Sequence, residues 1–196
     1  MRGTMPQRGK MSQRGTMPYR VAIGLIACLA LLAAGCDGGS SADAGRRSWP
    51  PAIAGRACQL LHYDVVEEHL GTRFDTAGGA NRDATYTCAL TQAGHDYPDL
   101  TLAVTATTAD EVIFTATVAP SGSTVVKDLG RIAYRVAIAP SRSSGPGVEV
   151  GWLSAYERLL IVRYTFPPEA TAQQVAELTS KLIALAHQID QSLPAA

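Results

Sequence analysis

The sequence predicts an α+β fold: an antiparallel sheet of about five strands with N-terminal and C-terminal helices packed on one face. Three observations lead there. Apolar residues recur at helical spacing near residue 60 and again after residue 170. Between these regions, five segments alternate apolar and polar residues, the period of a half-buried strand. The order is then helix, strands, short helix, strands, helix, which segregates the long helices to the two ends.

The folded domain is read as 57–196. In ACQLLHYDVVEEHLG, Cys58, Leu61 and Val65 form one helical stripe, with Val66 and Leu70 beside it. Gly71 is a natural stop, because only glycine takes the left-handed conformation without penalty. The stretch DTAGGANRD reads as a Gly-rich loop. It lacks the lysine and the following helix that a phosphate-binding loop needs.

Strands follow. ATYTCALTQ places Tyr86, Cys88 and Leu90 on one face, and DLTLAVTAT does the same for Leu100, Leu102, Val104 and Ala106. Residues 108–118 carry conflicting signals. Thr108 and Glu111 form a capping-box pattern, whereas the β-branched content favours a strand. A short helix is the expectation. GRIAYRVAI puts Ile132, Tyr134, Val136 and Ile138 together, opposite Arg131 and Arg135. GVEVGWLSAY groups Val148, Val150 and Trp152. RLLIVRYTF turns Leu160, Val162, Tyr164 and Phe166 inward and Arg163 outward. Tyr156-Glu157 reads as the hairpin between the last two. After Pro167-Pro168, Thr171 and Gln174 offer another capping box. Val175, Leu178, Leu182, Leu185 and Ile189 then make one apolar stripe, suited to lie across a sheet.

Upstream of the domain the chain reads as an address. Residues 21–35 (VAIGLIACLALLAAG) carry no charge, and Arg2, Arg8, Lys10, Arg14 and Arg20 precede them. Fifteen residues are short of the roughly 20 that a membrane-spanning helix needs. A basic flank, a short apolar core and small residues make a secretory signal. Its end, Ala33-Ala34-Gly35-Cys36, resembles the lipobox of bacterial lipoproteins. That resemblance implies a diacylglyceryl group on the Cys36 thiol and cleavage just before it. Ala33 stands where the family usually has leucine. The rival Leu25-Ile26-Ala27-Cys28 would leave too short an apolar core. Residues 1–35 are therefore expected to be the signal peptide, and 36–56 the lipidated cysteine and a flexible Gly/Ser/Pro-rich tether. The pieces RGTMP and QRG repeat before the signal, and a start at Met17 would give a more ordinary signal length.

Five of the 17 basic residues precede Cys36 and none of the 17 acidic ones do. The mature chain thus has 12 against 17, a net charge of −5. That argues against nucleic acid, which demands a basic face. Cys58 and Cys88 remain as an even pair in an exported chain, which reads as a disulfide.

Taken together, the lipobox, the short tether, the early Cys-x-x-Leu helix, the second cysteine, GRIAY, the VEVGWL…LLIVRYTFPP hairpin and the terminal helix form a pattern. It resembles cell-envelope lipoproteins of actinobacteria, mycobacteria included, some of which adopt a PsbP-like α+β fold. In GRIAY the chain departs from related domains, which often carry acids after the glycine. The resemblance implies a lipid-anchored protein on the extracytoplasmic face of the cell membrane. It brings no catalytic residues.

The residues themselves name no reaction. G-x-S-x-G, Ser-x-x-Lys and His-Glu-x-x-His are all absent. His62 and His69 roughly share a helix face, but a metal would still need Glu68 or Asp64, and a solvated helix edge explains them better. The acid pairs Glu67-Glu68, Asp96-Asp99 and Asp110-Glu111 fit exposed helix, loop and helix start. No catalytic residue, metal site or cofactor is assigned. Two classes of function remain. One is a non-enzymatic binding module for a small lipid or glycan, or for an envelope protein partner, with Tyr134, Trp152, Tyr164 and Phe166 as candidate cleft residues. The other is an envelope hydrolase, for which His95, Asp96 and Asp99 should converge; an inhibitor or assembly factor would need a flat exposed patch instead.

Overall fold

The computed structural model describes residues 56–193. The expected signal peptide, Cys36 and all of the expected tether but Arg56 lie outside the described residues.

The fold is α+β, with one sheet of seven antiparallel strands and a long C-terminal helix. A 3₁₀ turn at Ala57–Leu60 leads into α1 (Tyr63–Leu70). β1 (Thr76–Arg82), β2 (Thr85–Thr91) and β3 (Asp99–Ala106) follow. A short helix α2 (Glu111–Ile113) continues into a π-turn at Phe114–Val118. β4 (Thr124–Val126), β5 (Ile132–Ile138), β6 (Gly147–Leu153), β7 (Arg158–Thr165) and α3 (Ala172–Gln191) complete the order. The strands lie as β1-β2-β3-β7-β6-β5-β4, so the last strand inserts at the centre.

The two strands beyond the expected five are the sheet edges. β1 is the TAGGANR stretch that reads as a loop; it pairs residue for residue with β2, from Thr76↔Thr91 to Arg82↔Thr85. Its backbone makes a ladder although its side chains are small or polar and mostly exposed. β4 is only three residues long and pairs with β5.

The first helix is broken where the sequence suggests continuity. His62 is extended (φ −78°, ψ 134°) and separates the 3₁₀ turn from α1. Geometry explains the break. At about 100° per residue, an unbroken helix would point Leu61 away from Val66 and Leu70. The kink returns all four to one core, where each is 4 % exposed or less. Cys58 is then held to Cys88 of β2 by the disulfide, with Cα atoms 5.0 Å apart. Gly71 ends α1 in the left-handed conformation (φ 71°).

α2 starts two residues later than the capping pattern suggests. Asp110, not Thr108, is the N-cap, and its carboxylate accepts the Ile113 amide at 2.8 Å. α3 starts as expected, with Thr171 and Gln174 forming a reciprocal capping box. Its Leu178, Leu182, Leu185, Ala186 and Ile189 are buried in one cluster with Val66, Leu70, Leu102, Val150, Trp152 and Val162.

Strand register separates the two faces. Leu102, Val162 and Val150 are cross-strand partners on the α3 side, as are Leu160 and Trp152. Tyr134 faces Gly151, not Trp152, so it points to the opposite side. There it joins Phe114 and Leu153 in a second, smaller cluster.

Candidate functional site

The four aromatics expected to share a cleft do not converge. Trp152 is fully buried, and its Nε1 donates to Asp190 Oδ1 of α3 at 2.9 Å. Tyr134 is on the other face, its ring 5.7 Å from that of Phe114. The alternation of β5 had given two faces, but not which of them α3 covers. Only Tyr164 and Phe166 stay together, edge to face with centroids 4.8 Å apart.

Those two floor a cavity of about 360 Å³ between the end of α1 and the first half of α3, rimmed by Glu177 and Lys181. Tyr164 and Thr72 share a hydroxyl–hydroxyl hydrogen bond of 3.0 Å. Burial pushes the Tyr164 phenol above its ordinary range, with Thr72 pulling the other way and Asp99 adding to the rise. The aromatics expose 4 % and 7 % of their surface, so they are floor rather than stacking platforms.

A second cavity, of about 380 Å³, opens at the other end of α3 and of β7. Its floor is apolar: Leu60 from the 3₁₀ turn, Tyr86 of β2, Val104 of β3 and Leu193 just past α3. Two arginines flank that floor. Arg56 immediately precedes the 3₁₀ turn, and its guanidinium carbon sits 5.5 Å from the Tyr86 ring centroid. Arg158 opens β7. Among the described residues no carboxylate lines the cavity, and neither arginine forms an ion pair with a described residue. Two guanidiniums beside an apolar floor suit a molecule with an anionic head and a greasy body. Sequence reasoning missed this pair. Arg56 reads as tether and Arg158 as a strand end, and no spacing links them.

The outer face carries a polar group of its own. Glu149 of β6 is 5 % exposed. Its Oε1 accepts the Tyr134 hydroxyl at 2.8 Å, and its Oε2 accepts both Nε (2.9 Å) and Nη2 of Arg163. Burial, followed by the Glu149 carboxylate, drives the Tyr134 phenol well above the usual range. The arrangement satisfies a buried carboxylate fully, which an uncompensated charge there would not allow.

His95, Asp96 and Asp99 do not meet in one pocket. His95 and Asp96 are exposed in the connection before β3, whereas Asp99 is half-buried at the start of β3. His62 is exposed ahead of α1 and His69 is in its last turn. Among the described residues no group of three or more His, Cys, Asp or Glu could hold a metal ion. None of the described helices is long and apolar enough to cross a membrane.

Comparison with family models, curated proteins and solved structures gave no match.

Proposed function

We propose that this chain is an envelope lipoprotein whose domain binds a small anionic amphiphile without chemical conversion. The observation that carries the reading is the 380 Å³ cavity in which Arg56 and Arg158 flank an apolar floor. Of a lipid, a glycan and a protein, a lipid best matches that pairing of charge and grease. A glycan would call for exposed aromatic platforms, and Tyr164 and Phe166 are buried.

The address comes from the sequence. Ala33-Ala34-Gly35-Cys36 supports a lipid anchor at Cys36 on the extracytoplasmic face of the cell membrane, in keeping with the resemblance to actinobacterial envelope lipoproteins. An anchor would keep the cavity near its ligand's source. A hydrolase reading would gain from a base beside a nucleophile or from paired acids, and the scatter of His95, Asp96 and Asp99 favours binding instead.

The test uses residues 44–196, the compact unit that contains the domain, freed of lipid by refolding. A fluorescent polyunsaturated fatty acid is titrated in. Saturable binding, weakened roughly tenfold or more by Arg158→Ala, is the expected result, since a charge-assisted contact is lost. The corresponding fatty alcohol should bind more weakly than the acid. No binding, or equal binding of acid and alcohol to both chains, overturns the reading.

A further inference from the structure

The outer face of the sheet holds a third cavity, of about 170 Å³, which differs from the others in character. It sits where Asp99, Thr165, Gly147 and Ile138 lie side by side across four strands, with Arg163 one row further in. We propose that this cavity binds a small α-amino acid as its zwitterion, the ammonium on Asp99 and the carboxylate on Arg163.

Three observations support the assignment independently of the arginine-flanked cavity. First, opposite charges line one cavity without pairing to each other. Arg163 forms its ion pair with Glu149, and Asp99 forms none with a described residue. Second, both groups have unused capacity. Asp99 Oδ1 is buried without a hydrogen-bond partner. Arg163 commits Nε and Nη2 to Glu149, and its Nη1 makes no hydrogen bond among the described residues. Glu149 is itself held by Tyr134, so the guanidinium is fixed in place before a ligand arrives. The free Nη1 is thereby held in position to donate a charge-assisted hydrogen bond to a carboxylate.

Third, the size suits a small ligand. At about 30 Å³ per water in the liquid, the cavity holds the equivalent of roughly five or six waters. That fits glycine, alanine or serine. Ser144 and Thr165 add hydroxyls to the wall.

The experiment is isothermal titration of the full chain, inserted in lipid nanodiscs, with glycine, alanine and serine. Ethylamine and propionate serve as half-ligands, each carrying one of the two charges. Saturable binding of an amino acid is expected, with each half-ligand roughly tenfold or more weaker. Asp99→Asn should abolish it while leaving the thermal midpoint no lower. Ser144→Leu, in the connection between β5 and β6, should block it by filling the cavity. Arg158→Ala should leave it unchanged, which separates this site from the amphiphile cavity. The proposal is overturned if no amino acid binds, if binding survives both Asp99→Asn and Ser144→Leu, or if ethylamine matches alanine.

Discussion

The ring of Tyr134 occupies the space that a side chain at Gly151 would need. A Cβ added at 151 would come 2.5 Å from the ring's Cε1 and Cζ atoms and 2.7 Å from its hydroxyl oxygen. The two residues are cross-strand partners on β5 and β6. Gly151 is therefore what allows Tyr134 to lie over the sheet and reach Glu149. Gly151→Ala should destabilise the domain by about 1–3 kcal/mol, the usual cost of overpacking. Urea unfolding checks this, and an unchanged midpoint would show that the ring can move aside freely.

The Cys58–Cys88 bridge closes a loop of 30 residues. The chain-entropy treatment assigns such a loop about 3–4 kcal/mol. It also adds a covalent tie to the packing of the 3₁₀ turn on β1, β2 and β3. Replacing both cysteines by serine should cost about that much in chemical denaturation. The loss should appear first as faster hydrogen exchange between Ala57 and Leu70. Uniform exchange across the domain would instead mean that the bridge acts on global stability alone.

Trp152 and Asp190 join the sheet to the end of α3 by one charge-assisted hydrogen bond. Asp190→Ala leaves the indole N–H unpaired in the core and should cost about 1.5–3 kcal/mol. A double-mutant cycle with Trp152→Phe should return a coupling of about 1 kcal/mol or more. Strict additivity would place the cost of Asp190→Ala elsewhere.

Asp99 gives the domain a pH dependence of definite sign. Burial pushes its carboxyl up, and the Thr165 hydroxyl and Arg163 charge pull it back only in part. A folded state that holds the proton more tightly than the unfolded chain is favoured at low pH. This contribution is complete below the ordinary aspartate value of about 3.9 and is lost as pH rises through the raised value. Asp99→Asn should therefore melt higher than the wild type near pH 7, with the gap closing towards about pH 3. Thermal melts across that range decide it, and a gap that widens in acid would reverse the sign.

The sequence made the interior strands legible and the edges not. β2, β3, β5, β6 and β7 bury one or both faces, so selection for packing leaves an alternating pattern in their side chains. β1 buries almost nothing. Its glycines and alanines carry no such pattern, and only its backbone bonds to β2 make it a strand. The helix break at His62 was hidden for a related reason. Cys58 and Leu61 have one helical phase and Val66 and Leu70 another, and a single stripe drawn through all of them blurs the change.

The sites were less legible than the fold. Tyr164 and Phe166 were found because they alternate along RLLIVRYTF. Tyr134 was misplaced because alternation identifies faces without saying what covers them; only the register against Gly151 does that. Arg56 with Arg158, and Asp99 with Arg163, come together through strand order, which no local window contains.

That strand order has a consequence for how the chain is made. β1-β2-β3 and β6-β5-β4 are each assembled from neighbouring segments, but they are joined only through β7. Without Arg158–Thr165, the other strands can pair only as two separate small sheets, each with an inner edge open. Closing them depends on long-range pairing, the slow kind. A protein truncated before β7 would therefore be two sticky fragments rather than a smaller version of the domain.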